Sequence, residues 1–256
     1  MCLDDDARAR DDDDAADVFE LTSADGSVFG AYLARAQEPT GARLVLLPDV
    51  GGMRAPFREL ARRFARVGAD VLVIDYYGRT LGSAARDEQT DPRAKETFDR
   101  ELMLQDLAAA VGYVRASGDG PVYAAGFCVG GANALYAGAA GLGLAGVIGI
   151  CPYVGPMGVS AQLPGDFGSR IGVPVLGLFG GADTEVPGSV HEGLARDLVS
   201  AGVPHEIVVY PGQPHGFMEW DHFGRAGHAE AAADAWARIA AFVKDPEGYV
   251  GGGEGR

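Results

Sequence analysis

The chain has 256 residues, of which 47% are hydrophobic and 22% charged, and a net charge of −15. This suits one large or two small globular domains with a sizeable core, and so acidic a balance argues against nucleic acid or an anionic membrane as a partner. No stretch reaches the roughly 18–20 apolar residues of a membrane span, and the acidic N-terminus is unlike a secretory leader, so a cytoplasmic protein is expected.

Residues 1–16 form an Asp/Ala/Arg tail that is expected to be disordered, because like charges repel and there is little to bury. Two strand-like runs, 17–21 and 28–33, flank the turn signal Ala24-Asp25-Gly26 and predict a β-hairpin. Residues 43–47 are an unbroken apolar strand ending at Pro48-Asp49-Val50-Gly51-Gly52. A helix over 55–67 follows, with Phe57, Leu60, Ala61, Phe64 and Val67 at helical spacing and Gly68 at its end. Residues 71–74 form the next strand, and 80–96 a long polar loop of the kind that carries function. A helix over 97–116 leads to a strand over 121–125.

Beyond that lie strands at 146–151, 173–179 and 206–210, with helices at 189–201 and 227–244. Residues 17–247 read as one domain, and 248–256 as a flexible Gly-rich tail. Strands alternating with helices predict an α/β architecture: a mostly parallel central sheet flanked by helices on both faces, with an antiparallel hairpin at its N-terminal edge. Active sites of such sheets lie at the carboxyl ends of the strands.

The chain turns sharply at Gly126-Phe127-Cys128-Val129-Gly130-Gly131, between a strand and a helix. This is the layout of a nucleophile elbow, with cysteine at the apex. Glycine at 126 and 130 fits because side chains two positions either side of the nucleophile would collide. The helix N-terminus is expected to lower the thiol pKa. Asp183 and His215 follow two later strands, so nucleophile, acid and base occur in the order of the α/β-hydrolase fold. A thiolate can attack a carbonyl carbon while imidazole moves the proton and carboxylate fixes the imidazole tautomer. The N–H groups of Val129 and Val50 are the expected oxyanion donors. Taken singly, each residue has a plainer reading as a turn, cap or surface group.

Cys2, Cys128 and Cys151 include no C-x-x-C pair and no metal-ligand spacing, which fits free thiols in a reducing compartment.

The motifs G-F-C-x-G-G at 126–131, G-A-D at 181–183, P-H-G-F at 214–217 and V-I-D-Y-Y-G-R at 73–79 together resemble the dienelactone hydrolase family over about residues 18–245. The resemblance implies an α/β-hydrolase fold, no metal or cofactor, and hydrolysis of enol-lactones and related small-molecule esters through Cys128, with a thioester acyl-enzyme. The oligomeric state expected is a monomer or small homo-oligomer. The resemblance also implies that Asp49, where the family has a longer acidic residue, partners the resting cysteine; capping of the next helix is the other reading of Asp49. The family's arginine after the catalytic histidine is missing, since the chain continues Gly216-Phe217-Met218-Glu219-Trp220. Arg79, Arg86 or Arg93 could replace it, and a neutral ester is at least as good a candidate as an anionic lactone. Tyr76, Tyr77, Arg79, Phe217, Met218 and Trp220 are the candidate substrate contacts. Three alternatives stay open: a silent hydrolase-fold binding protein, a C–C bond hydrolase, and a thiol redox protein pairing Cys128 with Cys151.

Overall fold

A computed structural model describes residues 17–84, 92–161, 163, 165–222 and 224–251. The acidic tail and Cys2 lie outside the described residues. β1 (Val18–Thr22) and β2 (Val28–Ala34) pair antiparallel as the expected hairpin, with Thr22 opposite Val28. β2 then runs antiparallel to β4 (Asp70–Ile74), which lies parallel to β3 (Arg43–Leu47). From β3 the sheet continues in parallel through β5 (Val122–Phe127), β6 (Gly146–Ile150), β7 (Val175–Gly180) and β8 (His205–Tyr210).

The strands are apolar on both faces because helices cover both. Leu44 and Leu46 of β3 face one core layer, with Phe57, Leu60 and Phe64 of α1 (Ala55–Ala65). Val45 and Leu47 face the other, which holds Met103, Leu107 and Val111. The intervening helices are α2 (Gly78–Leu81), α3 (Pro92–Thr97), α4 (Arg100–Arg115), α5 (Val129–Ala137), α6 (Gly188–Ala201), α7 (Phe217–His222), α8 (Ala229–Lys244) and α9 (Pro246–Gly251). α8 shares the layer of α1 through Ala232, Ala235, Ile239 and Phe242, whereas α4, α5 and α6 lie on the opposite side. No helix among the described residues is long and apolar enough to cross a membrane.

The helix expected from residue 97 begins at Arg100, because the Asp99 side chain accepts the N–H groups of Glu101 and Leu102 and caps it there. The segment read as a loop carries α2 and α3, both too short to register as a periodic pattern; residues 85–91 between them, including Arg86, lie outside the described residues. The expected flexible tail is also corrected in part. Residues 246–251 are helical, with the Tyr249 ring 6.1 Å from that of Phe242 and its hydroxyl donating to Glu206. One aromatic residue supplies enough burial to hold a glycine-rich turn against the sheet edge.

Candidate active site

The parallel strands end on one edge, and that edge gathers Asp49, Cys128, Cys151, Asp183 and His215. β5 delivers Cys128 at φ 53° and ψ −118°, a backbone conformation that costs energy for a non-glycine residue. The turn is held by the Cys128 N–H, which donates to Ile150 (2.9 Å), and by its carbonyl, which accepts the Tyr153 N–H (2.9 Å). The two glycines are needed for closeness. A Cβ at 126 would stand 2.3 Å from the Gly130 carbonyl, and one at 130 would stand 2.1 Å from the Pro48 oxygen.

Cys128 is 9% exposed. The Val129 N–H at the start of α5 favours the thiolate, the effect expected of a helix N-terminus. The expected fall in thiol pKa does not follow. Burial pushes the thiol well above its ordinary range, and the carboxyl groups of Glu219, Asp49 and Glu185 push the same way, outweighing the Val129 N–H. Both effects favour the neutral thiol over the thiolate in this resting arrangement.

Asp183 is nearly buried, with a side-chain exposure of 2%. Its Oδ1 accepts the N–H groups of Glu185 (2.8 Å) and Val186 (2.9 Å), and its Oδ2 accepts His215 Nδ1 at 2.7 Å. A carboxylate only accepts, so Nδ1 carries the proton and Nε2 presents its lone pair. Nε2 is buried without a hydrogen bond among the described residues, and the Glu185 carboxylate stands 3.9 Å away. The imidazole is therefore oriented as a base and unengaged.

The loop after β3 is held by two tyrosines expected to line the pocket. The Tyr76 hydroxyl bonds the Pro48 carbonyl (3.0 Å) and that of Asp49, and the Tyr77 hydroxyl donates to Val50 (3.1 Å). Both rings are buried, at 4% and 2% exposure, and stack edge-on with centroids 4.7 Å apart. Their evident work is to fix the loop that carries the Val50 N–H. Burial raises both phenol pKa values, so they stay neutral donors. The Asp49 carboxylate accepts the Gly51 N–H (2.6 Å) and pairs with Arg54 (3.1 Å), while its charge also reaches the Cys128 sulfur.

The remaining candidates lie differently. Arg79 pairs with Asp106 (2.7 Å) and Asp25 (2.6 Å) and bonds Ser27 (2.8 Å), tying the opening hairpin to α4. Phe217 and Met218 are 0% exposed and pack in the core layer of α8, with Phe217 5.0 Å from the Tyr210 ring, so neither stands on a pocket surface. The side chains of Trp220 and Arg93 lie outside the described residues.

Two groups near Cys128 have no motif to mark them. Glu219 is half-buried, and burial together with the Asp49 carboxylate pushes its pKa up to about 8, against the pull of Arg54. Cys151 has a sulfur that lies with an Asp183 oxygen and a His215 nitrogen, all three within 4.8 Å of one another. Sulfur, oxygen and nitrogen at that spacing could suit a soft metal ion. Here, however, the Asp183 oxygens and His215 Nδ1 are already committed to one another and to backbone N–H groups.

Comparison with known proteins agrees with this geometry. The profile of the dienelactone hydrolase family matches residues 29–246. The carboxymethylenebutenolidase of Pseudomonas putida is 28% identical over 229 residues, covering 86% of this chain and 90% of that one. A Yersinia pestis protein provisionally named carboxymethylenebutenolidase is 29% identical over 222 residues, covering 84% and 82%. A crystal structure from Klebsiella pneumoniae, provisionally named a dienelactone hydrolase, superposes with a TM-score of 0.74 at 27% identity, covering 89% of this chain and 98% of the other. An eight-stranded sheet with a strained cysteine at its elbow, an Asp–His pair at two later strand ends, and a family match across residues 29–246 place this protein in the dienelactone hydrolase family of lactone and ester hydrolases.

Proposed function

We propose that the protein hydrolyses activated esters or lactones through a thioester on Cys128, with His215 as base, Asp183 as its orienting carboxylate, and the N–H groups of Val129 and Val50 as oxyanion donors. The observation that carries this reading is the unengaged Nε2 of a histidine already locked by Asp183 in the tautomer a base requires. Substrate binding brings the thiol to Nε2, and the proton passes from sulfur to imidazole as sulfur attacks the carbonyl carbon. Collapse of the tetrahedral intermediate returns that proton to the leaving oxygen. Water, deprotonated by the same imidazole, then clears the thioester. Asp49 partners the resting cysteine through its charge, which keeps the thiol protonated until substrate arrives.

We assign the substrate as a neutral ester or lactone rather than one carrying a carboxylate. The carboxylates of Asp49 and Glu185 act on the Cys128 sulfur, Glu219 adds its charge as it ionises, and the nearby cation Arg54 is paired with Asp49. An anion entering there meets like charge.

The test is the ratio of kcat/KM for a neutral p-nitrophenyl ester to that for an ester with a distal carboxylate, across pH 6.5 to 9. Burial and the Asp49 carboxylate push the Glu219 pKa up to about 8, so its negative charge grows across this range. In the wild type the ratio should therefore rise by about tenfold as pH passes through 8, since one added charge costs about 1.4 kcal/mol against an anion. In Glu219→Gln the ratio should stay flat. A wild-type preference for the anionic ester would overturn the assignment.

A further inference from the structure

Glu185 lies in the turn after β7, two residues beyond Asp183 and just before the buried Val186. Its backbone N–H donates to Asp183 Oδ1 at 2.8 Å, beside the bond from Val186 at 2.9 Å. The carboxylate that orients His215 therefore also fixes the backbone of Glu185. From there the Glu185 side chain, 60% exposed, brings Oε2 to 3.9 Å from His215 Nε2. No hydrogen bond to another described residue holds that carboxylate, and Nε2 is buried with Glu185 standing against it. Nδ1 carries the ring proton, so Nε2 offers a lone pair, and a carboxylate only accepts. Two facing acceptors cannot bond each other, and a polar gap beyond about 3.5 Å is one that a water can bridge. One water donating to both would set them ~4.5 Å apart at ordinary hydrogen-bond lengths. Glu185 has to withdraw by about half an ångström to admit it, a small movement for an exposed and unbonded side chain.

We propose that Glu185 is a further catalytic residue: together with His215 Nε2 it holds the water that clears the thioester. This inference rests on the proposed acyl-enzyme on Cys128 and on His215 as base. Once the leaving alcohol has taken its proton and departed, water enters beside Nε2 from the exposed side of Glu185. One O–H of that water points to Nε2 and the other to Oε2, which leaves an oxygen lone pair for the carbonyl carbon of the thioester. The oxygen–carbon bond forms as the first proton passes to Nε2. The carbon–sulfur bond then breaks, and the sulfur recovers that proton from the imidazolium. The second hydrogen leaves on the acid product.

Single-turnover quench-flow tests this, with protein in excess over p-nitrophenyl acetate. Release of p-nitrophenolate reports acylation, and mass spectrometry of the quenched protein reports loss of the acetyl group. Glu185→Ala should acylate within about threefold of the wild-type rate yet lose the acetyl group about 10- to 100-fold more slowly, as expected for a misplaced nucleophile. Acylation has no reason to slow, because Glu185 opposes ionisation of the Cys128 thiol. In the steady state kcat and KM should fall together, which keeps kcat/KM near wild type. Glu185→Gln, whose amide oxygen still accepts a water hydrogen, should recover most of the deacylation rate. The side chain is exposed, so both variants should melt within a few degrees of wild type. Acetyl loss at the wild-type rate in Glu185→Ala, a slowing of both phases together, or equal slowing in the alanine and glutamine variants would overturn the proposal. If neither the wild type nor Glu185→Ala ever carries an acetyl group on Cys128, the nucleophile itself fails and the step assigned to Glu185 falls with it. Normal acetylation of Cys128 with unaltered clearance in Glu185→Ala removes the role of Glu185 alone.

Discussion

Replacing Cys128 with alanine is expected to lower kcat/KM on p-nitrophenyl acetate by about 10⁴-fold or more, a loss of about 5.5 kcal/mol or more of transition-state stabilisation. The size follows from the absence of a substitute. No other thiol or hydroxyl occurs among residues 126–131 of the elbow, and Cys151, the nearest sulfur by register among the described residues, is only 1% exposed. What the variant keeps is the His215–Asp183 pair and the oxyanion donors, which can still assist direct attack by water. Residual activity above the uncatalysed rate is therefore expected, at a level set by those groups. Folding should be unharmed. Alanine has a small side chain, and the positive φ of Cys128 is enforced by surrounding hydrogen bonds rather than by the sulfur. A thermal midpoint within a few degrees of wild type accompanies the loss if the effect is chemical. Activity within tenfold of wild type in a folded Cys128→Ala protein would remove the nucleophile from the account.

Asp183→Asn should cost about 10³- to 10⁴-fold in kcat, with a small change in KM. The geometry leaves asparagine no good solution. Oδ1 of Asp183 accepts two backbone N–H groups and Oδ2 accepts His215 Nδ1. If the asparagine amide nitrogen faces the histidine, it donates to Nδ1 and drives the ring proton to Nε2, where no base remains. If it faces the other way, it opposes the N–H groups of Glu185 and Val186 in a site only 2% exposed. Either orientation removes an imidazole fit to accept the thiol proton. The pH profile separates the two causes of loss. A tautomer effect lowers the whole profile, whereas simple unfolding would also lower the melting temperature by many degrees. Wild-type kcat in this variant would mean that His215 is not the base.

Much of this site is legible in the amino-acid sequence. Cys128, Asp183 and His215 sit at strand ends, and strands in a parallel sheet announce themselves as short apolar runs bounded by turn residues. The elbow glycines are legible for the same reason, since their role is steric and local. The pairing of Asp183 with His215 bridges 32 residues, yet topology alone carries both to one edge. What stays hidden depends on where side chains point. Tyr76 and Tyr77 read equally well as pocket walls or as packing, and only the hydroxyl partners show that they brace the loop after β3. Arg79 reads as a spare cation until Asp106 and Asp25, distant in sequence, are seen to claim it. At Cys128 the helix N-terminus acts with the expected sign but loses on magnitude, because burial and three carboxyls oppose a single N–H group. Cys151 carries no motif, and its place beside Asp183 and His215 depends on three neighbouring strands.

The central claim is that acyl transfer passes through the Cys128 sulfur, and trapping that intermediate tests it most directly. Wild-type protein mixed with excess p-nitrophenyl acetate and quenched in acid within the first turnovers should carry one acetyl group. Peptide mapping should place it on Cys128, hydroxylamine should release it, and His215→Gln should not acquire it. An acetyl group on any other residue, or rapid turnover with no acyl-protein at any quench time, would contradict the account.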